Sequence, residues 1–237
     1  MLARKKAPTP GKKKKGSAPR PPDRETLLRA GRLFRGLTRL YPDVHCELNY
    51  RNPFELLIAT ILSAQCTDVR VNKVTPALFA KYPTAAELAK GKPADVEDLI
   101  RSTGFFRTKT KSLLSAAGDI AGRHGNEVPA TMESLTALRG VARKTANVVL
   151  GNAYHKNDGV VVDTHVARLT HRMGLTREKT PEKIERDLMA LYPRNQWCLL
   201  SHLLIWHGRR VCDARRPDCA ACTLLKDCPR NGVTTPR

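Results

Sequence analysis

Four cysteines in one short frame, Cys212-x6-Cys219-x2-Cys222-x5-Cys228, constrain this chain more than any other feature of its sequence. Thiols spaced this closely can hold a metal centre and make the intervening loops wrap around it; tetrahedral sulfur coordination suits zinc and iron alike. The spacing is not the paired Cys-x2-Cys of a zinc ribbon. Seven cysteines in all, an odd number with four near one end, fit a reducing compartment and a metal site better than a disulfide framework. Cys46, Cys66 and Cys198, apart from the frame, are expected to be packing residues.

The net charge of +20 points to a polyanion as partner. Eight of the 42 basic residues fall in residues 1–20, which hold no acid, so the rest of the chain keeps 34 basic against 22 acidic residues, a net of +12. The part able to fold is therefore basic in its own right. Residues 1–22 carry the run Lys12 to Lys15 among Pro, Gly, Ala and Ser, which cannot bury apolar surface, and they are expected to form a disordered basic tail. Such a tail is either a solvated appendage or a nonspecific phosphate tether. No stretch approaches the roughly 20 apolar residues of a membrane span, and the basic N-terminus lacks the apolar segment of a secretory signal. The expected location is the cytoplasm, associated with the nucleoid.

From Asp23 onward the pattern is helical. Asn52-Pro53-x-Glu55 supplies an N-cap, a proline at the first helical position and an acid in the first turn, and Phe54, Leu57, Ile58, Ile61 and Leu62 follow as one apolar stripe. Thr84-x-x-Glu87 reads as a capping box, and Thr180-Pro181 starts another helix with Ile184, Leu188 and Leu191 on one face. Further helical runs cover 113–121 and 199–206. Pro76 is expected to kink or end the helix that begins near Asp68. The only strand-like signal, Val160-Val161-Val162, is too short for a sheet. The fold class is all-α.

Between helical runs at 132–138 and 143–152 stands Gly140, and a short turn there leaves amide groups at the start of the second helix that suit a phosphate. Taken alone, such a turn is more often a plain connection than a DNA contact. Asp163 precedes a helical stretch, 164–173, and reads as its N-cap. A carboxylate anchored this way stays available to stabilise positive charge or accept a proton. His165 beside it reads as a packed or capping histidine.

The run Leu138-Arg-Gly-Val-Ala-Arg-Lys-Thr-Ala-Asn-Val-Val149 resembles the helix-hairpin-helix of endonuclease III-type DNA glycosylases, whose usual form is Leu-Pro-Gly-Val-Gly-Arg-Lys-Thr-Ala. The likeness continues through Leu62-Ser-Ala-Gln-Cys-Thr-Asp68, Val162-Asp-Thr-His165 and the cysteine frame. It implies two helical domains with a DNA cleft between them: a six-helix barrel with the hairpin over 46–156, and a discontinuous iron-sulfur domain built from 23–45 and 157–237. It further implies that Lys144 is a nucleophile assisted by Asp163, and that Cys212, Cys219, Cys222 and Cys228 hold a [4Fe-4S] cluster. Burial and a positive helix end would both lower a lysine pKa in the direction a nucleophile requires. DNA contacts are expected from Gln65 and Phe105, which stand where the family fills and wedges the gap left by a flipped nucleotide. They are also expected from Arg139, Gly140, Val141, Ala142 and Arg143 in the hairpin and from Arg215 and Arg216 in the first cysteine loop.

The chain departs from the family at Arg139 and Ala142, where Pro and Gly are usual. Alanine would cost about 1 kcal/mol if its position required φ > 0, loosening the phosphate grip, while Arg139 could add a contact. The implied activity is a bifunctional glycosylase and abasic-site lyase acting on oxidised pyrimidines in double-stranded DNA, as a monomer. The alternatives are a mismatch-type monofunctional glycosylase, against which Lys144 stands, and a non-catalytic iron-sulfur DNA-binding module.

Overall fold

The computed structural model describes residues 22–237, and the basic tail expected over 1–22 lies, but for Pro22, outside the described residues. Those described residues are helical with no β-strand: α1 (Arg24–Leu40), α2 (Pro53–Leu62), α3 (Asp68–Lys81), α4 (Ala85–Ala89), α5 (Pro93–Ile100), α6 (Phe106–Arg123), α7 (Met132–Ala137), α8 (Arg143–Ala153), α9 (Thr164–Arg172), α10 (Pro181–Leu191) and α11 (Trp197–Arg210). Local chemistry sets several of the starts. Asn52 accepts the Glu55 amide at 2.9 Å ahead of Pro53, and Thr84 does the same for Glu87 at 3.3 Å. Between residues 46 and 156 lie α2 to α8, one segment more than the six-helix expectation. The Gly91-Lys92-Pro93 break separates the short α4 from α5.

Buried hydrophobic side chains form two clusters, and the fold is a two-domain all-α arrangement. One cluster runs from Leu48 to Leu150; the other joins Ala30, Leu33 and Leu37 of α1 to residues from Val160 to Leu224. Thus α1 crosses over to pack with the last helices. α2 is the centre of the first cluster and is buried on every face, Leu56 and Ala59 included, so the single stripe read from its sequence understates it. Leu57→Ala there should cost about 2–5 kcal/mol.

Packing decides two local features. α3 continues through Pro76 to Lys81 rather than ending there, because Val71, Thr75, Leu78 and Phe79 all pack inward across the proline and outweigh one lost hydrogen bond. Val160 to Val162 is buried and, as its shortness suggested, forms no strand. Its Val161 amide donates to Ser201 Oγ of α11 at 3.0 Å instead of to a neighbouring strand.

Candidate active site and DNA interface

α7 and α8 are joined by Leu138 to Ala142, with Gly140 at φ +83°. A Cβ on Gly140 would stand 2.7 Å from Ser112 Cβ, so both the backbone conformation and the close approach to α6 require glycine. The Val141 amide donates to Leu138 O at 3.1 Å and its side chain is buried in the first cluster. Val141 therefore anchors the turn from within and offers DNA no side chain. Ala142 sits at φ −85° and ψ 169° as the N-cap of α8. Alanine adopts that region without strain, so the loosening that a positive φ would have caused does not arise.

α8 begins without a side-chain cap, and Ala146 is the first amide bonded back to the turn, to Ala142 O at 3.0 Å. The preceding amides are left for an anion. Arg139, exposed beside Gly140, stands at this same opening. Arg143 is engaged differently: its Nε and Nη2 form a fork on Glu185 of α10 at 2.8 and 3.0 Å. Lys144 follows on the first turn of α8 and is exposed rather than buried.

Asp163 begins α9 as expected, its Oδ1 accepting the Val166 amide at 2.8 Å. Lys144 and Asp163 line one cleft of about 970 Å³ between the two clusters, together with Ser63, Asn152, His202 and Trp206. The sequence motifs single out Lys144 and Asp163, and Ala142 of the hairpin lines the same cleft; Asn152, His202 and Trp206 carry no such signal in the sequence. His202 Nε2 donates to Asn152 Oδ1 at 2.8 Å, and burial pushes the His202 pKa down to about 4, which keeps the ring neutral at ordinary pH. His165 packs beside Gly208 and Arg168 and is absent from the cleft lining.

On two separate loops Gln65 is exposed with φ +52°, and Phe105 is 68% exposed with φ +46° behind Gly104 at φ +71°. An aromatic left this open is available to enter a base stack rather than part of the core. Lys109, unnoticed in the sequence, lies under this loop with Nζ donating to Thr103 O at 2.8 Å, and burial lowers its pKa. Only tertiary packing distinguishes this lysine from its many solvated neighbours.

The four frame cysteines line a single cavity with Arg172, His207 and Leu224. Among the described residues no three His, Cys, Asp or Glu side chains converge as ligands of one ion. Four thiols lining one cavity have the chemistry to ligate zinc or an iron-sulfur centre. Arg172 Nη1 donates to Cys212 Sγ at 3.2 Å and His207 Nε2 lies 3.5 Å from Cys222 Sγ, while burial raises the Cys222 and Cys228 thiols above their ordinary pKa. Arg172 also holds the first loop by donating to Asp213 O at 2.6 Å and Ala214 O at 2.8 Å. Asp213 in turn accepts the Arg215 and Arg216 amides at 2.8 and 3.1 Å, which presents both side chains to solvent. Arg172 and Asp213 thus order the backbone of the loop that carries both arginines, by a route the sequence did not disclose.

Residues 58–194 match the HhH-GPD superfamily of base excision DNA repair proteins. The endonuclease III of Synechocystis sp. is 54% identical over 201 residues, covering 85% of this chain and 92% of its own. The chain belongs to the endonuclease III family. A non-covalent endonuclease III-DNA complex superposes with a TM-score of 0.82 at 39% identity, covering 86% of this chain and 95% of that one. A trapped covalent endonuclease III-DNA intermediate gives 0.80 at 40% identity, covering 85% and 96%. The family is consistent with an iron-sulfur cofactor, and no helix of the described residues is long and apolar enough to cross a membrane.

Proposed function

We propose that this endonuclease III family member removes oxidised pyrimidines from duplex DNA and then nicks the strand, with Lys144 as nucleophile and Asp163 as its partner. The observation that carries this reading is the shared cleft, which puts an amine on an uncapped helix start and a carboxylate on a capped one. The neutral Lys144 amine attacks the deoxyribose C1′, the bond from C1′ to the base breaks, and Asp163 stabilises the positive charge that develops on the sugar. The sugar ring opens to a Schiff base. Loss of a C2′ proton then expels the 3′ phosphate by β-elimination.

A nucleotide must leave the stack to reach this cleft, which costs a few kcal/mol and less for a damaged base. Phe105 would wedge the step and Gln65 fill the gap, while the α8 amides, Arg139, Arg215 and Arg216 hold phosphates. Cys212, Cys219, Cys222 and Cys228 would hold a [4Fe-4S] cluster whose contribution is to fix the arginine-bearing loop. The two hydrophobic clusters support domain bounds of 46–156 and of 23–45 with 157–237. A monomer acting in the cytoplasm on nucleoid DNA completes the reading.

A 5′-labelled duplex carrying thymine glycol or dihydrouracil should be cut at the lesion to a β-elimination product. A base released from an unbroken strand would point to the monofunctional alternative, and a wholly intact substrate would overturn the reading. Iron and acid-labile sulfide should accompany the protein and be lost in Cys222→Ser; bound zinc in their place would refute the cluster.

A further inference from the structure

Glu185 is a nearly buried carboxylate, 7% exposed, on α10 of the second cluster, yet its hydrogen-bond partners all come from the helix that carries Lys144. Arg143 closes a two-pronged fork on it, and Asn147 Nδ2, one turn further along α8, donates to Oε1 at 3.0 Å. The same arginine reaches the connection between clusters, Nη2 donating to Asp158 O at 3.2 Å. Arg194 grips that connection from the other side, donating to Asn157 O and Asp158 Oδ1 at 2.6 Å each. Next in the chain stands Gly159, where an added Cβ would overlap Glu185 Oε1 and lie 2.6 Å from Asn147 Nδ2. Asp163 follows after Val160, Val161 and Val162. One carboxylate is thus tied to the residue before the nucleophile and pressed against the segment that delivers the aspartate.

We propose that Glu185 is a positioning residue for the lyase reaction, locking α8 and the 157–159 connection together so that Lys144 and Asp163 meet at a fixed separation. The proposal rests on the functional reading above. It also reassigns Arg143 from the phosphate contact expected in the sequence to the inner half of the lock. A bidentate fork fixes orientation as well as distance, which an ammonium cannot do. Reaction rates respond steeply to such placement, since about 1 Å of displacement costs on the order of a hundredfold.

The test is single-turnover excision and borohydride trapping on one lesion duplex by wild type, Glu185→Gln, Arg143→Lys and Gly159→Ala, with KM, the salt slope of DNA binding and Tm recorded for each. The lock requires all three variants to lose roughly tenfold to a hundredfold in the rate of trapping while KM and the salt slope hold. Arg143→Lys is the decisive arm because it preserves charge and removes only the fork. Should Glu185→Gln or Gly159→Ala lose its helical circular dichroism, Arg143→Lys decides alone by the same criteria. Trapping at the wild-type rate in the folded variants, or a raised KM and flatter salt slope with the rate intact, would overturn the lock and return Arg143 to the phosphate backbone. Failure of the wild type itself to trap would instead overturn the functional reading, and the lock with it.

Discussion

The two helix starts that line the cleft are finished in opposite ways. α9 begins on Asp163, whose side chain takes the Val166 amide, whereas α8 begins on Ala142, which has nothing to offer its amides. The positive end of α9 is used within the protein to hold a carboxylate in place; that of α8 is left for a ligand. An N-cap is worth about 1 kcal/mol, so its omission beside Gly140 and Lys144 is a cost in stability that DNA can recover. The capped end keeps a charge still, and the open end receives one.

Separating capping from chemistry at Asp163 has the largest expected effect. Asn caps as well as Asp, so Asp163→Asn should keep Tm near wild type while excision falls by about 10²- to 10⁴-fold. Equal activity would reduce Asp163 to a cap. Gly140→Ala attacks the open end through its backbone: with φ +83° and Ser112 in the way, it should lose about 1–3 kcal/mol in denaturant melts. Phe105→Ala tests how DNA is delivered to both ends. It should slow excision from duplex about tenfold while sparing single-stranded abasic DNA, because only the duplex demands unstacking. Ala142→Asn gives α8 the cap it lacks, and should add about 1 kcal/mol of stability while weakening DNA binding. Ala142→Gly should change little, since φ −85° already suits alanine.

Much of this was legible in the chain because local chemistry decides it. Asn52, Thr84 and Asp163 mark helix starts by what their own side chains can accept, Gly140 marks a turn only glycine can make, and the cysteines mark a cavity by their spacing. What stayed hidden depends on partners far along the sequence. Arg143 meets Glu185 42 residues away, and Arg172 reaches Cys212 across 40. Nothing in the order of residues separates Lys109 or Val141 from lysines and valines of other fates; their roles come from the packing of α6 and α8. Whether α3 ends at Pro76 was undecidable for the same reason, the proline's cost being absorbed by inward neighbours that only the folded core reveals.

The most direct measurement is intact mass spectrometry of the protein after borohydride reduction on an abasic duplex, run for wild type and Lys144→Ala. The wild type should gain the mass of the bound strand at Lys144 and the variant should gain none. An adduct that survives in Lys144→Ala, or its absence from the folded wild type, would contradict the assignment of the open helix start as the seat of the nucleophile.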